Sequence, residues 1–217
     1  MMKLTVHTFV SLDGVMQGPG GRDEDTSGGF ELGGWVVPLF DEDMGRIVNG
    51  WFAEADAILL GRTTYQMFQP YWEQVTDPDD AVAGALNSLP KYVVSSTLTE
   101  ATWHNTTILP ANFLEAVDDL KSGPGRELQV HGSHRLVRAL HDAGLVDEYR
   151  LIIFPVVLGQ GKRLFEPGVT PSAFTLAGSK ATSSGAVHLT LLPAAFGAAD
   201  LEAGEFEVRE GREQVKD

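Results

Sequence analysis

Three places in the chain set a glycine or a small hydroxyl residue directly after a short apolar run. They are Leu60-Gly61-Arg62-Thr63-Thr64, Val94-Ser95-Ser96-Thr97 and Val130-His131-Gly132-Ser133-His134. Glycine lets backbone approach a ligand closely, and the free amides that open a following helix attract an anion. Phosphate suits that combination, and in open α/β sheets ligands lie beyond the carboxyl ends of the strands. Together the three junctions point to a nucleotide cleft. Thr63 and Ser133 can either cap their own helices or donate hydroxyls to the ligand.

Other chemistries find less support. No G-x-G-x-x-G opens the first strand-to-helix turn, and no GxxxxGK[ST] occurs, so the usual dinucleotide and P-loop fingerprints are absent. Gly159-Gln160-Gly161-Lys162 follows Phe154-Pro155 and reads as a turn between strands rather than a phosphate loop. His134 and His141 share a helical face but stand two turns apart, ~10 Å of rise, too far for one ion. With no H-E-x-x-H and no cysteine, no metal site is expected. A G-x-S-x-G elbow is missing as well, which removes the usual serine hydrolase arrangement.

The junctions need strands and helices to hold them. Lys3 to Val10 alternates with a period of two and reads as a first strand. A Gly-rich segment, 11 to 35, is long for a compact domain and reads either as a ligand loop or as disorder. Apolar residues from Val37 to Ala55 recur at helical spacing behind Asp41, Glu42 and Asp43, which suit a helix N-terminus. Ala57 to Leu60 is a strand, Thr63 to Gln69 a helix stopped by Pro70, and Pro78 to Leu89 another helix. Lys91 to Val94 and Thr107 to Leu109 read as strands, Ala111 to Leu120 as a helix, and Glu127 to Val130 as a strand. A helix through Leu136, Val137 and Leu140 precedes a strand at Tyr149 to Phe154. Phe174 to Ala181 and Val187 to Leu192 form a late antiparallel hairpin across Ser-Ser-Gly. This order predicts an α/β fold: a mixed, mostly parallel central sheet with helices on both faces and an antiparallel hairpin at its edge.

Residues 1 to 193 make one domain in this reading, and 194 to 217 an acidic, mobile tail with seven acids against three bases. A short strand through Phe206 and Val208 is the alternative for part of that tail. Across all 217 residues, 16 Lys and Arg face 30 Asp and Glu, so the net charge of −14 opposes binding to nucleic acid. No apolar run approaches a membrane span, the first residues read as a strand rather than a signal peptide, and the cytoplasm is the expected compartment. The apolar hairpin at 174 to 192 would leave an exposed sheet edge, which a homodimer would cover.

Several short motifs in fixed order carry a family resemblance: S-L-D-G at 11 to 14, L-G-R-T-T-Y at 60 to 65, V-S-S-T at 94 to 97, H-G-S at 131 to 133 and V-D-E-Y-R-L-I-I-F-P-V-V-L-G-Q-G at 146 to 161. Over residues 3 to 193 the chain resembles the dihydrofolate-reductase-like proteins, specifically the reductase domain of riboflavin biosynthesis and its stand-alone relatives. The resemblance implies the three-layer fold of that family and a bound NADPH. The cofactor phosphates would lie against Gly61, Arg62, Thr63 and the Gly132-Ser133 turn, with Ser95, Ser96, Thr97 and His134 completing the cofactor-binding set. Arg62 with Ser95 and Ser96 would suit the 2′-phosphate, Lys91 standing in reserve; Arg62 pairing with a surface acid is the competing reading.

Hydride transfer to a pterin-like or pyrimidine-like heterocycle is the implied reaction, and a non-catalytic NADP(H)-binding or sensor protein of the same fold is the alternative. Asp13 is the catalytic candidate, binding the heterocycle or relaying a proton, with an Asx-turn beside Gly14 as its other reading. Asp41, Glu42 and Asp43 are reserve carboxylates. Phe9, Met16, Trp35 and Phe52 are candidates for an aromatic substrate wall, core packing being the competing role of Phe9 and Phe52.

Overall fold

The computed structural model describes residues 1–110, 112–194 and 205–215. Eight strands form one sheet: β1 (Lys3–Ser11), β2 (Ala55–Gly61), β3 (Lys91–Val94), β4 (Thr106–Leu109), β5 (Glu127–His131), β6 (Glu148–Phe154), β7 (Ala173–Ala181) and β8 (Val187–Ala194). Their order is β4-β3-β2-β5-β1-β6-β8-β7, parallel from β4 through β6, with β8 antiparallel to both neighbours. The mixed sheet and its edge hairpin are as the sequence predicts.

Alternation along each strand sorts side chains into two cores. Leu4, Val6, Leu59, Val130 and Leu151 pack with α4 (Phe113–Ser122) and α5 (His134–Asp142) on one face. Ile58, Leu60, Val93, Ile152 and Phe154 meet α1 (Glu42–Glu54), α2 (Arg62–Trp72) and α3 (Ala81–Ser88) on the other. Helices therefore cover both faces, giving three layers.

Helix boundaries depart from the periodic pattern for local reasons. The run from Val37 begins as a single 3-10 turn containing Pro38, and α1 starts only after Asp41, whose carboxylate accepts from Met44 N at 2.8 Å. Pro70 does not stop α2, which continues to Trp72: in the last turn its missing N–H removes one helical bond, and its ring-fixed φ is already helical. Asp80 caps α3 in the same way as Asp41 caps α1. Lys91 is fully buried, donating from Nζ to the carbonyls of Leu86 and Leu89, and so is removed as a reserve phosphate ligand.

The segment after β1 is packed. Phe30, Trp35 and Val36 are buried, the Trp35 indole N–H donates to Gln17 O at 2.9 Å, and Gln17 Nε2 donates to the carbonyls of Asp25 and Ser27. Ala111, where the sequence reading starts the helix that α4 begins at Phe113, and the tail residues 195–204 and 216–217, half of the expected mobile tail, lie outside the described residues. Phe206 and Val208 do enter a strand, β9 (Phe206–Arg209), which pairs with β10 (Arg212–Val215) rather than with the main sheet. Among the described residues, no helix is long and apolar enough to cross a membrane.

Candidate functional site

The carboxyl ends of β1, β2, β3 and β5 open into a cleft of about 1950 Å³ bounded by α1, α2 and the segment after β1. A pocket for one small ligand occupies roughly 300–1,000 Å³, so this cleft has room for two molecules side by side.

At its centre the first and third junctions touch. Gly61 N donates to Ser133 Oγ at 2.9 Å, and that hydroxyl lies 2.6 Å from Thr64 Oγ1. A Cβ on Gly61 would meet Ser133 Oγ at 3.0 Å, tighter than ordinary van der Waals contact, so glycine eases the approach. Gly132 and Ser133 both take left-handed backbone, φ 62 and 64, which turns the chain sharply from β5 into α5. Ser133 thus ties β5 to β2 instead of capping α5. No side chain caps either α2 or α5, and both helices begin at the cleft.

Gly61, Arg62, Thr63, Ser95, Ser96, Thr97, Gly132, Ser133 and His134 all line this one cleft. Arg62 is exposed; its Nη1 donates to Gln66 Oε1 at 3.1 Å, and it forms no ion pair among the described residues. The pairing with an acid is therefore not seen. Ser95 Oγ accepts from the amides of Thr97 and Leu98 at 3.1 and 2.8 Å, shaping the turn after β3. Burial lowers the His134 pKa, keeping that ring neutral near pH 7.

Two further cations reach the cleft, Arg135, which the sequence reading passed over, and Lys162, which it placed in a turn between strands rather than a phosphate loop. Arg135 is exposed in the first turn of α5, and Lys162 reaches the cleft from the loop after β6, its Nζ paired with Asp25 at 2.5 Å. Arg135 had a legible signal, being one residue beyond the third junction. Lys162 carried the signal of the Gly159-Gln160-Gly161-Lys162 run, but its place at the cleft depends on Gln17 Oε1, which accepts from its backbone N–H at 3.0 Å and lies far away in sequence.

Asp13 does not line the cleft. Its Oδ1 accepts from Ser11 Oγ at 2.7 Å and from Leu158 N at 3.1 Å; Oδ2 accepts from Gly159 N at 2.8 Å and meets Arg163 Nη2 at 3.3 Å. The hydroxyl of Ser11 first, then these amides, hold its carboxyl well below the usual carboxylate range. An oxygen pair so occupied is an acceptor that clamps two loops, and not a proton relay. Such a group stabilises the fold above the unfolded carboxyl pKa, and the gain disappears as pH falls through the lowered folded value. Asp13→Asn should therefore lower stability by about 1 kcal/mol or more at neutral pH, flatten the acid limb of the stability profile, and leave turnover intact. Denaturant titrations across pH, beside activity, check this; a turnover collapse in a stably folded variant would return Asp13 to the chemistry.

Asp41 and Asp43 are also engaged elsewhere: Asp41 accepts from Ser184 N at 2.7 Å and Asp43 from Ser183 Oγ at 2.7 Å, tying α1 to the turn between β7 and β8. Phe9, Met16 and Phe52 line the cleft, whereas Trp35 packs edge-on against Phe154 in the core.

Beneath the cleft runs a buried polar row. His131 stacks on Phe52 at 4.4 Å on one side and on His7 at 5.0 Å on the other, and Trp51 meets His7 edge-on. Gln129 Nε2 donates to Trp51 O and Glu127 Oε2, both at 2.6 Å, so its Oε1 faces His131 Nε2 at 3.0 Å and that nitrogen carries the proton. Burial pushes the His131 pKa down to about 3 and lowers that of His7 too, so both rings are neutral. Glu127 continues to Arg150 and Glu148 through ion pairs at 2.5 and 2.6 Å. The floor thus offers neutral imidazoles, with the carboxylates of Glu127 and Glu148 held by Arg150; Glu24, its pKa raised by burial, lines the same cleft. Among the described residues, no group of His, Asp or Glu side chains is arranged to hold a metal ion.

The family model described as the RibD C-terminal domain matches residues 2–188. The uncharacterized protein YyaP of Bacillus subtilis (strain 168) is 32% identical over 189 residues, covering 86% of this chain and 93% of the relative. Among solved structures, a putative riboflavin biosynthesis protein from Shewanella sp. PV-4 superposes with a TM-score of 0.68 at 20% identity, over 89% of this chain and 100% of that one. A dihydrofolate reductase from Enterococcus faecalis, complexed with NADP(H), gives a TM-score of 0.56 at 10% identity over 88% and 96% of the two chains. These structural likenesses bear out the dihydrofolate-reductase-like fold that the motifs imply. With its model spanning nearly all of the sheet and the cleft, the chain belongs to the RibD C-terminal domain family.

Proposed function

We propose that the protein is an NADPH-dependent reductase acting on a planar heterocycle of pterin-like or pyrimidine-like type. One observation carries the reading: the Gly61–Ser133 contact brings the open N-termini of α2 and α5 together in one cleft, beside the unpaired guanidinium of Arg62. The amides of the two helices would hold the pyrophosphate, and Arg62, Ser95, Ser96 and Thr97 the 2′-phosphate end, with Gly132, Ser133 and His134 closing the turn around it. Bound NADPH supplies a hydride, and one proton completes reduction of the acceptor. The imidazoles of the floor are neutral, and that proton would come from Glu24, whose carboxyl pKa burial raises, or from water entering the open cleft.

Intrinsic-fluorescence titration with NADPH, followed by NADPH oxidation across a heterocycle panel, tests this. Saturable binding and turnover with at least one ring are expected, and absence of NADPH binding would overturn the reading. The neutral state of both floor imidazoles also leaves a second reading, a non-catalytic NADP(H) sensor, which predicts binding without oxidation across the whole panel. We further propose a homodimer through the outer hairpin, where Leu176 is 56% exposed on the edge strand β7. A monomeric mass in light scattering at micromolar protein would exclude it.

A further inference from the structure

Among the described acids that line the cleft, Glu24 is held in a way that the others are not. It lies in the segment after β1, which is fixed from several sides: Gln17 Nε2 donates to the carbonyls of Asp25 and Ser27, and Gly34 N donates to Gly18 O at 2.8 Å. Its carboxylate turns back on the glycines of Pro19-Gly20-Gly21. Oε2 accepts from Gly20 N and, at 3.1 Å, from Gly21 N, and a Cβ on Gly20 would meet that oxygen at 3.2 Å, so glycine eases the approach. Oε1 has no hydrogen bond, and no lysine or arginine pairs with the group, among the described residues. One oxygen is anchored and the other is unengaged. The remaining acids of the cleft differ: Asp80 caps α3, Asp77 accepts from Asp79 N, and Asp23 and Asp79 are exposed.

The adjacent acid is in the opposite state. Burial alone would raise the Asp25 pKa, but Lys162 Nζ at 2.5 Å and the amide and hydroxyl of Ser27 bring it below its ordinary value, so Asp25 stays ionised. For Glu24 the balance reverses: burial raises its pKa against the pull of the two amides, and the charge on Asp25 raises it further. Two neighbouring carboxyls pushed apart in this way divide into a fixed anion and a proton carrier. With Oε2 accepting twice, the proton sits on Oε1. From other elements, Lys162 reaches the cleft from the loop after β6, and Arg135 and the neutral His134 line it from α5. Asp25 and Lys162 both act on the charge of His134, so this part of the segment stands within electrostatic reach of the turn proposed for the cofactor.

We propose that Glu24 is the catalytic acid of the reductase, protonating the acceptor ring from Oε1. The carbon of a ring C=N takes the hydride that NADPH supplies, and its nitrogen takes the proton of the Glu24 carboxyl. The ring thus gains a hydride and a proton, NADPH becomes NADP⁺, and water in the open cleft reprotonates the carboxylate. The proposal rests on the reductase reading and commits its proton to one donor.

The test uses the full chain, with NADPH oxidation followed on pterin and 7,8-dihydropterin. Glu24→Gln keeps an acceptor oxygen for the two amides and removes the proton. Turnover should fall by about 10²-fold or more, while the NADPH dissociation constant is unchanged and the melting temperature no lower. Turnover of the parent chain should also decline as pH rises through the Glu24 pKa, because only the protonated acid donates, and the Gln variant should lack that limb. Asp23→Asn, at an exposed acid of the same cleft, should change none of these. A further readout needs no turnover: in protein labelled with carbon-13 at the glutamate carboxyls, the resonance missing from the Gln variant should titrate above the ordinary glutamate range. Full turnover by Glu24→Gln overturns the proposal, as does titration within or below the ordinary range, an equal loss in Asp23→Asn, or weaker NADPH binding in the Gln variant, which would mark Glu24 as a loop staple. Failure to reduce either pterin on protein that binds NADPH also overturns it and leaves the cofactor reading standing. Failure to bind NADPH overturns the reading beneath it.

Discussion

Arg150→Leu should destabilise the fold by about 3–5 kcal/mol, the cost of stripping the partner from a buried charge. Arg150 Nη2 meets Glu127 Oε1 at 2.5 Å and its Nε meets Glu148 Oε1 at 2.6 Å; the two carboxylates are only 6% and 7% exposed. Lys3, the other partner of Glu148, is 61% exposed and too well solvated to replace a guanidinium lying between the two acids. For a chain of this size, each kcal/mol lowers the melting temperature by roughly 2–4 °C, so a fall of roughly 6–20 °C is expected in calorimetry. Adding Glu127→Gln should recover part of that loss, since it removes one of the stranded charges. An unchanged melting temperature would mean that water reaches this row and that the guanidinium is not needed to neutralise it. Glu127 also accepts from Gln129, which positions His131, so loosening this pair should slacken the cleft floor as well.

Arg62→Ala should weaken NADPH by about 1.5–3 kcal/mol, roughly ten- to a hundredfold in dissociation constant, with NADH almost unaffected. Arg62 donates to Gln66 at an exposed position and forms no ion pair among the described residues, so its removal should leave the fold intact. The discrimination then reports the extra phosphate alone. Arg135, on the neighbouring helix and likewise without an ion pair among the described residues, is the control. Its replacement should weaken both dinucleotides alike if it faces the shared pyrophosphate. Equal losses for both cofactors on replacing Arg62 would sink the 2′-phosphate assignment and move it to Arg135 or to Ser95 and Ser96.

Much of the fold was legible because its signals are local. Gly61 and Gly132 each end an apolar run, and their spacing from the helical patterns that follow marks strand, turn and helix without any tertiary knowledge. The site was legible to the extent that it rests on those same junctions. Asp13 was misplaced for the opposite reason: beside Gly14 a carboxylate looks the same whether it faces a cleft or a loop, and its partners Leu158 and Gly159 come from the far side of the chain. The polar row under the cleft was equally silent. Glu127, Gln129 and His131 alternate with apolar residues as a half-solvated strand would, yet α1 covers them and Arg150 neutralises them from another strand. Pro70 misled because a proline signal gives no information on how close to its natural end a helix already is.

The place of β1 has a consequence for how the chain is made. It precedes every other strand of the sheet along the chain, yet it ends in the middle of the sheet, hydrogen-bonded to β5 on one side and β6 on the other, both encoded far downstream. Until β5 and then β6 have emerged, a strand buried on both faces lacks its neighbours. Closure of the sheet is then a late, non-local event, slow by comparison with helix formation, and the waiting strand is an open edge that nascent-chain chaperones would have to cover.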